Sequence, residues 1–179
     1  MRNKVVILML GVLLSCGGLA QAGYVDIYED TTINNDLVNT TVRAHDSANL
    51  TLLSGNVTAI ELLNMSIGNV YGGYVIDYSM QDSSILNLYG GTFGDIRYSG
   101  NLVTINIYGQ NFQVIPASGD HTSVFLQGKW LDGSTFDIYF RMLPQPFEQA
   151  LGTNIFLIPE PATVSFLLFG LFGIRKLKH

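Results

Sequence analysis

Asn69-Val70-Tyr71-Gly72-Gly73 and Asn87-Leu88-Tyr89-Gly90-Gly91 are two copies of one phrase, 18 residues apart. Weaker copies lie on both sides, Thr51-Leu52-Leu53-Ser54-Gly55 and Asn106-Ile107-Tyr108-Gly109-Gln110, at spacings of 18 and 19 residues. The flanks keep the same register. Val57, Val75, Phe93 and Phe112 stand four positions after Leu53, Tyr71, Tyr89 and Tyr108, and Ile60, Tyr78, Ile96 and Ile115 stand seven positions after them. A longer match aligns Asp46–Ile60 with Asp82–Ile96, two periods apart.

A repeat of this length points to a solenoid. It is too short for a helix pair, whereas short strands joined by Gly and Asn turns fit the coils of a β-helix. Asn, Ser, Thr, Gly and β-branched residues dominate, and no long segment has a helical period. The expected class is therefore all-β. One coil cannot bury its own apolar face, but stacked coils make a continuous core. Alternation along the strand turns Leu52, Val70, Leu88 and Ile107 inward. It turns Thr51, Asn69, Asn87 and Asn106 outward, with Leu53, Tyr71, Tyr89 and Tyr108. Four coils at ~4.8 Å each would stand only about 20 Å tall, with ends that need covering.

The solenoid is expected over residues 23–118, with Val25-Asp26-Ile27-Tyr28 and Val42 in an N-terminal cap that fits the repeat only partly. Residues 119–158 leave the repeat and are expected to close the C-terminal end. There Val124–Trp130 and Thr135–Met142 flank Leu131-Asp132-Gly133-Ser134, where Asp-Gly signals a hairpin. Phe136, Ile138 and Phe140 alternate with Asp137, Tyr139 and Arg141, as a strand with one buried face requires. A last strand over residues 154–158 leads into Pro159.

Both termini read as addresses. Arg2 and Lys4 precede the apolar stretch Val5–Leu14, and Ala20-Gln21-Ala22 offers a small-x-small cleavage site. Residues 1–22 thus read as a signal peptide cut by signal peptidase before Gly23. An uncleaved N-terminal anchor and a lipoprotein cut before Cys16, after Leu13-Leu14-Ser15, are the alternatives. Cut at Ala22, the mature chain keeps no cysteine, and so has no disulfide or thiolate. At the other end Pro159-Glu160-Pro161 is followed by the apolar run Ala162–Ile174 and by Arg175, Lys176 and Lys178. Proline fixes φ and donates no backbone hydrogen bond, so the motif stays extended. The apolar run is expected to enter a membrane, with the cations on the cytoplasmic side.

This tail resembles the PEP-CTERM sorting signal of Gram-negative bacteria that make exopolysaccharide. The resemblance rests on Pro159-Glu160-Pro161-Ala162-Thr163, on Leu167-Leu168-Phe169-Gly170-Leu171 and on the basic end, and covers residues 159–179. It implies recognition by an exosortase, a membrane-embedded cysteine protease thought to cut near the motif. It also implies export, a membrane-held stage on the periplasmic side, and a final place at the cell surface or in the extracellular matrix.

Between the signals, four bases (Arg43, Arg97, Lys129, Arg141) face thirteen acids, a net charge of −9 for residues 23–158. That balance argues against nucleic acid, which needs clustered Lys and Arg. Catalytic signals are sparse. His45 and His121 lack paired metal spacing. Gly90-Gly91-Thr92-Phe93-Gly94-Asp95 is like a calcium-binding Gly-Gly-x-Gly-x-Asp repeat, but its third glycine is one place late. It reads as a tight turn, and no metal or cofactor is expected. A polysaccharide-active enzyme is the alternative function. It would draw on Arg97 and on Asp77 and Asp95, one period apart, although a hydrolase needs two carboxyls facing each other across a cleft. Tyr71, Tyr89 and Tyr108, beside Asn69, Asn87 and Asn106, are the candidate glycan contacts, since ring faces stack on sugars; the same residues also stabilise neighbouring strands by themselves. Trp130 reads either as core or as a further such face. The expected role is non-enzymatic: an exported structural or adhesive protein linked to exopolysaccharide.

Overall fold

The computed structural model describes residues 23–99, 102–117, 123–143 and 154–159. Ala20, Ala22, Cys16, His121, Glu160, Pro161, the apolar run and the basic end with Arg175, Lys176 and Lys178 lie outside the described residues.

The 18-residue period is spent on two strands and two turns. A short strand of three or four residues is followed by a turn, then by a longer strand of seven or eight, then by a second turn. The short strands are β2 (Thr31–Ile33), β4 (Asn49–Leu52), β6 (Ile67–Val70) and β8 (Ile85–Leu88). The long ones are β3 (Leu37–Ala44), β5 (Asn56–Leu62), β7 (Tyr74–Met80) and β9 (Thr92–Ser99), preceded by β1 (Gly23–Ile27). Like strands of successive coils pair in parallel, giving one sheet β1-β3-β5-β7-β9 and a second β2-β4-β6-β8. The result is an all-β solenoid of about five turns. Residues 24–45, expected as a cap that fits the repeat only partly, supply β1, β2 and β3 in register with the repeat, with Val25↔Val42 and Val42↔Ile60.

The core lies between the two sheets. Leu52, Val70, Leu88 and Ile107 are all buried and stack in register, and Thr51, Asn69, Asn87 and Asn106 form the outward column beside them. On the other sheet Ile60, Tyr78 and Ile96 stack inward. Both turns use left-handed backbone. Gly55, Gly73 and Gly91 have φ near +100°, at +98°, +90° and +101°, and Asp46, Asn64 and Asp82 have φ of 56°, 58° and 59°. Short Asn and Asp side chains tolerate that conformation better than other non-glycine residues.

The fourth copy departs from expectation. After Tyr108-Gly109 the chain does not turn. β10 (Thr104–Pro116) continues through a bulge, its first half parallel to β8 and its second half antiparallel to β11 (Ser123–Lys129). The physical reason is Gln110, which stands where the other copies have their left-handed glycine. Phe112 and Ile115 therefore do not continue the inward columns of Phe93 and Ile96, and both are only half-buried. The place above β9 goes to β12 (Thr135–Leu143), which brings Phe140 onto Ile96. β11 and β12 form the Asp-Gly hairpin, with Gly133 at φ +87° and Asp132 accepting from the Ser134 backbone and hydroxyl. β13 (Ile155–Pro159) adds to β10 in parallel at the edge of the second sheet. The hairpin joins both sheets into one continuous path and closes the C-terminal end with Trp130, Phe136, Ile138 and Phe140.

Candidate functional site

The outward residues of successive coils meet in ladders. Tyr71 and Tyr89 stack with centroids 4.6 Å apart and planes 5° from parallel, and Tyr89 and Tyr108 stack at 4.3 Å and 16°. These separations follow directly from the strand spacing. Beside them Asn87 Nδ2 donates to Asn69 Oδ1 at 2.9 Å, and Asn106 Nδ2 donates to Asn87 Oδ1 at 2.8 Å. Both faces of Tyr89 are thus covered by its neighbours. A sugar ring has access to the edges and hydroxyls of this stripe, while face stacking is closed at its middle ring. Burial, then the hydrogen bond with Tyr108, pushes the Tyr89 hydroxyl up to about 12.

A charged ladder crosses the other sheet. Arg43, Glu61, Ser79, Arg97 and Arg141 share one column, and Asp77, Asp95 and Tyr139 share the next but one. Arg43 Nε bonds Glu61 at 2.7 Å. Arg97 donates Nε to Asp77 Oδ1 at 3.0 Å, makes a second contact to that carboxylate through Nη2, and approaches Asp95 at 3.5 Å. Arg141 lies 3.7 Å from Asp95. Asp77 and Asp95 do stack on adjacent coils, but on one side of a sheet and bound to Arg97, not opposed across a cleft. Burial holds the Asp95 carboxyl above the ordinary carboxylate range, against the opposing pull of Arg141.

His45 stacks on Tyr28 at 4.7 Å and bonds Asp26 Oδ1 at 2.9 Å. Among the described residues no three His, Cys, Asp or Glu side chains gather as a metal site, and no helix is long and apolar enough to cross a membrane. Trp130 belongs to the core: it is 2% exposed, packs against Phe136 with centroids 4.2 Å apart, and donates its indole N–H to the Gly91 carbonyl at 3.0 Å. Of the expected sorting motif, only Pro159 is described: it ends β13, opposite Gly109.

One feature escaped sequence reasoning. A cleft of about 540 Å³ opens between the start of β9, the middle of β10 and the β11–β12 hairpin. Its walls carry the amides of Asn111, Gln113 and Gln127 and the hydroxyls of Thr92 and Thr135, over a floor of Phe93 and Phe136. Asn111 stands there in left-handed backbone, at φ +57°.

Fold and surface together define a two-sheet parallel β-solenoid with one end closed by a hairpin. The chain matches no family model, no curated protein and no solved structure.

Proposed function

We propose that this chain is an exported, non-enzymatic scaffold of the exopolysaccharide layer, delivered by its signal peptide and sorted through its PEP-CTERM tail by an exosortase. The observation that supports this reading best is the solenoid's outer surface, whose polar ladders bond one coil to the next, set between the two terminal sequence signals. The surface ladders agree with a structural role, because Tyr, Asn and Arg–carboxylate groups are spent on neighbouring coils. In this reading the tail holds the domain at the periplasmic face of the membrane until processing, and the processed domain serves as a structural or adhesive element at the cell surface.

The test is topological. Protease added to intact spheroplasts of the native host should degrade the 23–159 domain. Survival of the domain until the membrane is lysed would contradict export. Release of reducing or unsaturated ends from the host's exopolysaccharide by the purified chain would favour the polysaccharide-active enzyme instead.

A further inference from the structure

We propose that the cleft between β9, β10 and the β11–β12 hairpin is a binding site for a neutral carbohydrate segment. The cleft is a consequence of register. The ladder between β9 and β12 begins only at Asp95↔Tyr139, so Thr92 and Phe93, paired on their β7 side, leave with Gly94 a gap toward β12. The opposite wall is lifted by the bulge in β10 between Gln110 and Gln113, where Asn111 stands at φ +57°. The gap is held open. Trp130, in the hairpin turn, ties that turn to Gly91, and Gln127 Nε2 bonds Asp137 Oδ2 at 3.1 Å across the hairpin.

The lining selects the ligand. Its volume, about 540 Å³, falls within the roughly 300–1,000 Å³ range of small-molecule sites. An amide both donates and accepts, and so does a sugar hydroxyl. Asn111 and Gln113 make no side-chain hydrogen bond with any described residue, so both functions remain available. Among the described residues, Lys129 and Asp137 are the only charges on the wall, one of each sign, which gives no preference for an anionic or cationic ligand. A peptide added as a strand would need a longer free edge than the three residues of β9 provide. The proposal rests on the exopolysaccharide reading only for where the ligand comes from. Its test uses purified chain, so failed binding and failed sorting are distinguished.

Trp130 is the one tryptophan of the chain and packs on Phe136 in the floor, so its fluorescence reports on the cleft. The full-length chain, held in a non-glycosidic detergent, is titrated with cellotriose, maltotriose, trigalacturonate and an extended pentapeptide. The expected result is a saturable change with a neutral trisaccharide and weaker or no response to the other two classes. Gln113→Ala combined with Gln127→Ala should weaken that binding about tenfold or more. Asn111→Gly keeps the left-handed backbone, removes the amide and should also weaken it. The melting transition of each variant shows whether its fold is intact. The proposal is overturned by no saturable response to either neutral sugar, by equal affinity in variants that fold, or by preference for trigalacturonate or peptide.

Discussion

At Gly73 the backbone stands at φ +90°, and an added Cβ would fall 2.5 Å from the Gly55 carbonyl oxygen in the coil below. Two constraints coincide there, a left-handed turn and close stacking of one turn on another. Gly133, at the hairpin tip, has φ +87° but nothing within 4 Å of an added Cβ. Gly73→Ala should therefore destabilise by about 1–3 kcal/mol from strain alone, and further from the clash. Gly133→Ala should cost less, and urea midpoints of the two variants measure the difference. Equal losses would mean that stacking adds nothing. The same rule explains the broken fourth coil. Gln110 in place of glycine was visible in the sequence as a departure from the repeat. What it does to the chain path is a matter of backbone sterics.

Buried tyrosines set a second residue-scale expectation. Burial pushes Tyr98 up to about 12, and Tyr78, wholly enclosed, higher still. Unfolded tyrosine ionises near 10. A folded-state value raised above that favours the neutral phenol, so its stabilisation is complete below pH about 10 and is lost as pH rises toward about 12. The urea midpoint should fall across that window, and Tyr98→Phe should make the fall shallower. A midpoint that stays flat there would contradict the burial of these phenols.

At the scale of elements, the short strands hold the core. Leu88 in β8 is fully buried between Val70 and Ile107. Leu88→Asp places a carboxylate among aliphatic side chains, or forces it to protonate, at a cost of several kcal/mol. A domain of this size has about 5–15 kcal/mol in all, so the variant should misfold or aggregate; an unchanged melting curve would refute the inward column. That column, the Asn and Tyr columns beside it and the Asp-Gly hairpin were legible because period and alternation are local properties. The β9–β12 pairing was not. It joins residues some 44 apart, as in Asp95↔Tyr139, and no repeat phrase marks it. The cleft depends on that pairing, so it was hidden as well, as was the approach of Arg141 to Asp95.

The whole molecule is polar along its axis. Its C-terminal end is closed by the hairpin and an aromatic cluster of Phe93, Trp130, Phe136 and Phe112. Its N-terminal end finishes in β1 and β2, each paired on one side only among the described strands. The last strand, β13, lies on the closed end and delivers the chain to Pro159. In the proposed account the folded unit and the sorting motif are joined without a spacer, so processing would release or re-attach the solenoid directly at its final strand. The C-terminal mass of the protein from its native host tests this most directly, in strains with and without exosortase. The account predicts a chain ending, or carrying a new attachment, near residue 159 in the first strain and a longer membrane-bound form in the second. Identical C-terminal masses in both strains would contradict it.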